Sequence, residues 1–372
     1  QMAASNVPGR CVVTGGSGFV GQRLCEMLVE RGATSVVSFD IAGRPAFAST
    51  DPRIKYVQGN IEDLAALEAV FNGAECIFHI AALVGPFHKK EMYARVNVEG
   101  TKNVIKACKS QGVKKVVCAG TPSTRMDGYD IDGKTEDELP MPKPGKFQAT
   151  YAETKAIAEL ALNAAGKAGE LLVTTVCPHQ VYGPRDTLFF PNLLKVAKTK
   201  RLRVFGNGKN RISMCHVDNY CHGLILGAQH LYPGSKVLNG FYIITDGPPV
   251  LFWEMIDHAA KEMGFPSVLE RAALPYWLLI SIAYMINGLA KVLGTLRIVE
   301  EHVVLRTLKL NVFTVTMLTI HRYFDISKAK KDLGYVPLKT FETGMAETIA
   351  WFRKEWLPKC RSTEEIRDQG WN

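Results

Sequence analysis

Two residues suited to proton transfer, Tyr151 and Lys155, lie four positions apart in the segment YAETK. The surrounding residues are rich in Ala and Glu, which favour a helix, so both side chains are expected on one helix face. A phenol has a pKa of about 10, and a neighbouring ammonium stabilises its phenolate. The pair is therefore a candidate general base. The alternative is an ordinary solvated helix face, because this spacing also occurs by chance.

A spaced-glycine turn in CVVTGGSGFVG (11–21) could bind a phosphate group. Gly15, Gly18 and Gly21 would allow a tight turn, close approach of a pyrophosphate, and packing of a helix on a strand. Asp40 follows nineteen residues after Gly21, where a carboxylate binds an adenosine ribose. A 2′-phosphate would face that negative charge, so the pattern favours NAD over NADP, although Arg44 could soften the preference. The alternative is a glycine turn without a ligand.

The elements that must position these residues alternate between short apolar runs and helix-like segments. The apolar runs cover residues 11–14, 35–40, 54–59, 76–81, 113–119 and 171–178. Such alternation predicts an α/β fold with a Rossmann-type, doubly wound parallel sheet and helices on both faces. It weakens after about residue 185. We therefore predict a dinucleotide-binding domain over 8–185 and a smaller, partly interleaved mixed α/β substrate-binding region over 186–372.

Taken together, the glycine turn, HIAALVG (79–85), VNVEGTKNV (96–104) and YAETK resemble the extended short-chain dehydrogenase/reductase family. In that family the tyrosine is the general acid/base, and the lysine lowers its pKa and holds the nicotinamide ribose. The resemblance implies a catalytic set of Tyr151, Lys155 and Thr121. It implies cofactor contacts from Gly15, Ser17, Gly18, Phe19, Val20, Gly21, Asp40, Asn60, Ile61, Ala81, Ala82, Tyr151, Lys155, Pro178 and Val181.

Two positions depart from the family pattern. Relatives have consecutive serines where this chain has Gly120 and Thr121. Thr121 matches the catalytic serine best by register, and Ser123 is the alternative. Relatives also commonly have arginine at the position of Cys177, which puts one loop contact in question. His179 follows in the same loop and is interpreted as a packing histidine rather than a catalytic base.

The segments GNGKN, LPYW and FDISKAKKDLGYVPL are similar to the 3β-hydroxysteroid dehydrogenase branch of that family. This similarity implies NAD-dependent oxidation of a sterol 3β-hydroxyl, with NADP possible, and decarboxylation where the sterol carries a 4α-carboxylate. The alternatives are a 3β-hydroxysteroid dehydrogenase/isomerase, a sugar-nucleotide epimerase, and a non-catalytic Rossmann subunit of a membrane complex. Arg185 and the basic run 195–211 are guesses for the cation that faces the carboxylate.

Composition adds weaker constraints. The chain has 372 residues, a formal net charge of +9, and nine cysteines without a C-x-x-C pair. An unpatterned, odd set of cysteines is typical of reduced thiols in an intracellular protein. The segment CHVDNYCHG (215–223) could be mistaken for a metal site, but its spacing fits no common zinc motif. We therefore expect no metal. We expect no nucleic-acid partner either, and a homodimer is possible.

Residues 272–290 form a run of nineteen without a charge. A membrane-spanning helix needs about twenty apolar residues, and Tyr276 and Trp277 suit a membrane interface. A core helix, an interfacial helix and a true span all remain open. An interfacial helix would suit an enzyme that collects an apolar substrate from a bilayer. The expected location is an endoplasmic reticulum or lipid-droplet membrane, with the catalytic domain in the cytosol.

Overall fold

A computed structural model describes residues 7–85 and 88–360 of the chain. Its strands are β1 (Arg10–Thr14), β2 (Ser35–Asp40), β3 (Ile54–Gln58), β4 (Cys76–His79), β5 (Lys115–Ala119), β6 (Ile131–Lys134), β7 (Leu172–Pro178), β8 (Gln180–Tyr182), β9 (Arg211–Ile212), β10 (Met214–His216), β11 (Phe241–Ile244), β12 (Val250–Leu251) and β13 (Arg322–Phe324).

Its α-helices are α1 (Phe19–Glu30), α2 (Leu64–Phe71), α3 (Lys90–Tyr93), α4 (Gly100–Ser110), α5 (Thr150–Lys167), α6 (Phe190–Lys198), α7 (Val217–Gln229), α8 (Phe252–Glu262), α9 (Tyr276–Thr295), α10 (Glu301–Leu308), α11 (Val312–Thr319), α12 (Ser327–Leu333) and α13 (Phe341–Trp351). A π-helical turn, Ala94–Glu99, joins α3 to α4. Short 3₁₀ turns occur at Pro122–Arg125, Glu136–Glu138 and Leu357–Lys359, and a second π-turn occurs at Phe352–Trp356.

Seven strands form one sheet in the order β11-β7-β5-β4-β1-β2-β3, and every pairing in it is parallel. The strand order reverses between β1 and β4, so the connections that leave these two strands diverge. Such a switch point leaves a crevice at the carboxyl ends of the strands, where ligands bind in folds of this kind. The predicted Rossmann-type, doubly wound sheet is confirmed.

Helices cover both faces of the sheet because its strands are apolar on both sides. Alternate residues of β1 point in opposite directions: Val13 belongs to one core cluster and Val12 to another. The first cluster contains side chains of α1 and α7, which pack against each other. The second contains side chains of α2, α4 and α5. A continuous β-branched run is what a strand buried on both faces requires.

A second layer of structure lies beyond this sheet. Strands β12, β9, β13 and β6 form a four-stranded sheet, and β8 pairs with β10. A third core cluster joins α6, α8 and α13 around the buried rings of Phe252, Trp253 and Phe352. This cluster also includes Ile212 of β9 and, at its edge, Phe189 of the segment after β8.

The chain crosses between the two parts more than once. Strand β11 and helix α7 both follow residue 185, yet β11 is an edge strand of the seven-stranded sheet and α7 packs on β5 and β7. Strand β6 comes from the first half of the chain and pairs with β13. The boundary at residue 185 stays a prediction, and residues 361–372 of the second predicted region lie outside the described residues.

The apolar segment 272–290 forms most of α9, which lies on the surface. Only Leu279, Ala283 and Ala290 of this helix are buried, so the core-helix alternative is wrong. It is the one helix of the described residues that is long and apolar enough to cross a membrane, with 17% of its most apolar window buried. Leu279 and Ala283 pack against Val315 of α11, which attaches α9 to the rest of the protein along its first turns.

Candidate active site

The crevice at the switch point is a cavity of about 800 Å³. Its walls come from the glycine turn after β1, the end of β2, and the loops after β3, β4, β5 and β7. Strand β13, which belongs to the other sheet, closes one side through Arg322. The volume is in the range of a cofactor site.

Each of the three spaced glycines of the turn is glycine for a different structural reason. Gly15 has φ = 74°, and a Cβ there would lie 2.7 Å from the backbone nitrogen of Ala81. A Cβ on Gly21 would lie 2.0 Å from the Gly15 carbonyl oxygen. A Cβ on Gly18 meets nothing closer than 3.4 Å, so folding does not require glycine there. Gly18 instead lines the cavity at the N-terminus of α1, where a bare backbone lets an anion approach. This arrangement fits a pyrophosphate.

Asp40 forms the other side of the same end of the cavity. Its carboxylate accepts hydrogen bonds from the backbone N–H groups of Ser17 (3.1 Å) and Ala42 (2.9 Å). These bonds hold the carboxylate at the end of β2, beside the glycine turn. The Ser17 hydroxyl donates to the Gly43 carbonyl, and Ser17 does not line the cavity. Its contribution is to orient Asp40 through the backbone.

Tyr151 and Lys155 lie together at the opposite end of the cavity, both among its lining residues. Lys155 is buried, and its Nζ donates to the Ala119 carbonyl at the end of β5, at 2.8 Å. Burial raises the pKa of Tyr151 to about 12, and the neighbouring Thr121 side chain acts in the opposite direction. The Thr121 hydroxyl donates to the Ser123 hydroxyl oxygen at 3.2 Å. A hydrogen bond donated to a phenolate stabilises it, and such a role for Thr121 towards Tyr151 stays a prediction.

A buried ion pair fixes the Thr121 turn against the helix that carries Tyr151. The guanidinium of Arg125, in the turn that follows Thr121, contacts both carboxylate oxygens of Glu159 in α5, at 3.1 and 2.5 Å. Both side chains are mostly buried, and the guanidinium also lies 3.9 Å from the ring centre of Phe241. Parallel bonds of this kind restrain orientation as well as distance.

Packing explains why position 120 is glycine. A Cβ on Gly120 would lie 2.2 Å from the Cys177 sulfur and 2.5 Å from Cγ2 of Thr175. Cys177 is fully buried in β7 and does not line the cavity. Any side chain at position 120 would therefore collide with Cys177 and Thr175, which accounts for glycine there. Thr121 keeps its hydroxyl in the cavity wall.

Asn97 connects the loop after β4 to α5. Its side chain accepts from the backbone N–H of Leu83 (2.7 Å) and donates to the Leu83 carbonyl (3.3 Å) and to the Thr154 hydroxyl (3.2 Å). Asn97 lies in the π-helical turn, and such turns are frequent at functional sites. The loop that carries Ala81 and Ala82 is thereby held against the Tyr151 helix.

Comparison with known proteins identifies the family. The model of the 3-beta hydroxysteroid dehydrogenase/isomerase family matches residues 12–274. The chain is 33% identical to human sterol-4-alpha-carboxylate 3-dehydrogenase, decarboxylating, over 92% of this chain and 88% of that protein. It is 32% identical to 3beta-hydroxysteroid-dehydrogenase/decarboxylase isoform 1 of Arabidopsis thaliana, over 96% and 83%. The chain belongs to the 3-beta hydroxysteroid dehydrogenase/isomerase family. The predicted resemblance is confirmed.

Solved structures support the same fold. The chain matches a dTDP-glucose 4,6-dehydratase from Streptomyces venezuelae, DesIV, solved with NAD bound, with a TM-score of 0.69. The match has 21% identity and covers 95% of this chain and all of that one. It also matches the epimerase Mth375 of Methanothermobacter thermautotrophicus, with a TM-score of 0.72, 19% identity and 95% of both chains covered. At these identities the likeness shows the fold alone.

The structure brings most of the predicted site residues of this family member into one cavity. Lining it are Gly15, Gly18, Phe19, Val20, Gly21, Asp40, Asn60, Ile61, Ala81, Ala82, Thr121, Ser123, Tyr151, Lys155, Pro178, His179 and Val181. Ser17 is the predicted contact that lies outside the lining. The catalytic and binding roles of these residues stay predictions.

Sequence reasoning missed several wall residues, chief among them Arg322, Leu83, Val84, Leu188 and Phe189. The apolar ones lie in loops whose direction no periodicity indicates. Arg322 lies 171 positions beyond Tyr151. One residue, Tyr323, separates it from the segment FDISKAKKDLGYVPL. The one sign of this residue in the sequence was an arginine beside two aromatic residues in the short segment RYF.

Neither candidate for a cation that faces the substrate carboxylate lines the cavity. Arg185 pairs with Glu26 through two bonds of 2.8 and 2.7 Å and does not line the cavity. The basic run 195–211 contributes no residue to the cavity wall. Over the residues that the structure describes, no cluster of three or more His, Cys, Asp or Glu side chains could hold a metal.

A matched pair of glycine substitutions tests the phosphate site. Gly18→Ala should leave the free energy of unfolding near the wild-type value and weaken NAD binding about tenfold or more, because the new methyl group enters the cavity. Gly21→Ala should lower the free energy of unfolding by about 1–3 kcal/mol through overpacking against Gly15. Chemical denaturation and calorimetric titration with NAD measure the two effects. A Gly18→Ala protein that binds NAD like the wild type would rule out this turn as the phosphate site.

Proposed function

We propose that the protein is an NAD-dependent dehydrogenase that oxidises the 3β-hydroxyl of a 4α-carboxysterol, whose product then loses CO₂. The observation that carries the proposal is the convergence of Tyr151, Lys155 and Thr121 at one end of a cavity whose other end holds Gly18 and Asp40. The activities for which the human and plant relatives are named support the choice of substrate.

The residues that would hold the cofactor follow the length of the cavity. The glycine turn and the N-terminus of α1 would bind the pyrophosphate, and Asp40 the adenosine ribose. Lys155 would bind the nicotinamide ribose, with Pro178 and Val181 beside the ring. The negative charge of Asp40 favours NAD over NADP. When bound, NAD supplies the acceptor for the hydride that leaves sterol C3.

The chain's own residues handle the proton and the developing charge. Tyr151 would take the proton of the C3 hydroxyl in its phenolate form, which burial disfavours and a neighbouring positive charge would favour. The Thr121 hydroxyl would orient the oxygen. The oxidised product is a β-keto acid, so cleavage of the C4–carboxylate bond moves its electron pair into an enolate and releases CO₂. The protonated Tyr151 and the Thr121 hydroxyl can donate to the enolate oxygen. A proton from water then completes C4.

The apolar wall suits a sterol better than a sugar nucleotide. Leu83, Val84, Met92, Leu188 and Phe189 border the cavity, and Val84 and Leu188 are exposed. A sugar would need hydrogen-bond partners, which this surface does not provide. The solved sugar-nucleotide enzymes share the fold with this chain, and their substrates are not implied by that likeness.

The proposal is tested by incubating the purified protein with NAD and a 4α-carboxylated 3β-hydroxysterol. We expect equal amounts of NADH and CO₂. Tyr151→Phe should bind NAD normally and lose about 10²-fold or more of the turnover, because the proton acceptor is absent. Absorbance at the NADH band and CO₂ trapping measure the products. Intact NAD binding by the wild type without turnover of any 3β-hydroxysterol would favour a non-catalytic subunit.

The exposed apolar surface supports membrane attachment. On α9 and the segment after it, the exposed apolar side chains are Tyr276, Trp277, Leu278, Tyr284, Met285, Leu289, Val292, Leu296, Ile298, Val299, Val303 and Leu308. A patch of this extent on a soluble surface marks a binding site. The exposed cations Lys291 and Arg297 adjoin it, and with the net charge of +9 they suit anionic lipid headgroups.

An interfacial position agrees with how α9 is attached. The backbone of Leu274 bonds to Val204 and Gly206 on one side, and α11 packs against α9 along its first turns. Leaving these contacts to cross a bilayer would expose Val315 and its neighbours. The ion pair between Lys89 and Glu300, at 2.9 Å, connects the cavity-lining segment around Met92 to the α9–α10 connection. The cavity would therefore open beside the membrane surface.

The membrane proposal predicts that charges on α9 block attachment. A Trp277→Glu/Met285→Glu protein should pellet about tenfold less with phosphatidylcholine/phosphatidylserine vesicles, since each carboxylate must enter the interface. Both side chains are about two-thirds exposed, so the melting temperature should not change. Tyr232→Glu, at an exposed tyrosine outside α9, is the control and should pellet like the wild type. Undiminished pelleting of the double variant would refute this surface. Location in the endoplasmic reticulum or lipid droplet, and a homodimer, stay predictions.

A further inference from the structure

Arg322 is a buried cation in the wall of the cavity. It begins β13, where its backbone is paired with Ile131 of β6 and Ile212 of β9. These pairings fix its Cα, and its side chain is 7% exposed and lines the cavity. Burial lowers the pKa of Arg322 to about 10, so the side chain is still charged at neutral pH.

No carboxylate in residues 7–85 or 88–360 neutralises this charge. Among these residues its side chain makes one hydrogen bond, from Nη1 to Nε2 of His179 at 3.4 Å, and its Nε is buried without a partner. The acidic residues of the cavity wall are engaged elsewhere. Asp40 accepts from Ser17 and Ala42; Glu62 pairs with Arg95; and Asp186 accepts from the backbone N–H groups of Leu188, Phe189 and Phe190.

His179 is a neutral acceptor that aims the guanidinium. Its Nδ1 lies 2.7 Å from the Ser213 carbonyl oxygen, which can only accept, so Nδ1 carries the proton and Nε2 has a free lone pair. Burial, with the Arg322 charge, lowers the pKa of His179 to about 3. Its ring packs on Phe324 at 5.1 Å between centroids. Both ring nitrogens are occupied, which leaves His179 no role as a base.

Arg322 lies at the reacting end of the cavity. His179 follows directly on β7, the strand next to β5, and β5 leads into Thr121. Asp40 ends β2, four strands away from β7. At about 4.8 Å between strands, that separation is roughly 19 Å. The guanidinium is thus placed for a substrate near Tyr151, and not for a phosphate on the adenosine ribose.

We propose that Arg322 binds the carboxylate of the substrate and so makes the site selective for acidic sterols over neutral 3β-hydroxysteroids. The assignment rests on the proposed function. A planar guanidinium with unused donors matches a carboxylate in two parallel bonds. A buried, unpaired cation is costly to fold, and an anionic ligand removes that cost when it binds. Of the three cations in the described wall, Lys155 bonds to Ala119 and Arg95 pairs with Glu62.

The experiment compares two substrates that differ in one group, a 4α-carboxylated 3β-hydroxysterol and the 4α-methyl sterol of the same skeleton. Arg322→Gln should raise KM for the carboxylated sterol about 10- to 100-fold and leave KM for the methyl sterol within about twofold. Its kcat at saturation should change little, because the residue binds a group that does not react with Tyr151. Arg322→Lys should recover part of the lost affinity.

Matched controls separate this assignment from folding and from the proposed function. Arg201→Gln removes an exposed cation of the 195–211 run and should leave both KM values unchanged. If the melting temperature shows that Arg322→Gln does not fold, the KM values for the two sterols are compared in Arg322→Lys instead. Equal effects on the KM of both sterols, or no effect on either, would overturn the role of Arg322 and leave the proposed function in place. A wild-type protein that oxidises neither sterol would instead overturn the proposed function.

Discussion

The geometry of the site depends on the buried ion pair between Arg125 and Glu159. One partner lies in the turn that begins at Thr121, and the other lies two helical turns beyond Tyr151 in α5. Loss of one member of a buried pair leaves an uncompensated charge and costs about 3–5 kcal/mol. The pair therefore holds a hydroxyl on a strand-to-helix loop beside a phenol on a helix, an arrangement that neither element would maintain alone. Asn97 holds the loop after β4 against the same helix.

Charged side chains have different partners at the two ends of the cavity. At the end proposed for the dinucleotide, Asp40 is restrained by two backbone N–H groups, and a bare glycine at the start of α1 offers room for an anion. At the reacting end, Lys155 is satisfied by a carbonyl, whereas Arg322 has a neutral histidine and an unused Nε. The proposed acidic substrate would supply the partner that Arg322 lacks, at a residue that sequence patterns did not identify.

The sequence predicted the parts of the fold that local patterns determine. The β-branched runs are strands of the parallel sheet, because a strand buried on both faces needs a continuous apolar run. The spaced glycines form the predicted turn, because its positive φ and close backbone contacts exclude side chains. The interleaving of β6, β11 and α7 depends on contacts between distant segments, so no short stretch of the sequence indicates it. Arg322 was missed for the same reason. The surface position of α9 could not be decided from its composition, since a core helix and an interfacial helix share the same apolar content. Glycine at position 120 has no local signature either, because Cys177, 57 positions away, occupies the space that a side chain there would need.

The most direct test of the account is a crystal structure of the protein with NAD and a 4α-carboxysterol analogue that has no C3 hydrogen to transfer. The account predicts the adenosine ribose at Asp40, the pyrophosphate over Gly18, and the nicotinamide ring beside Tyr151, with the analogue's C3 oxygen within about 3.2 Å of the phenol oxygen. A nicotinamide ring turned away from Tyr151, or an analogue bound outside the cavity, would contradict it.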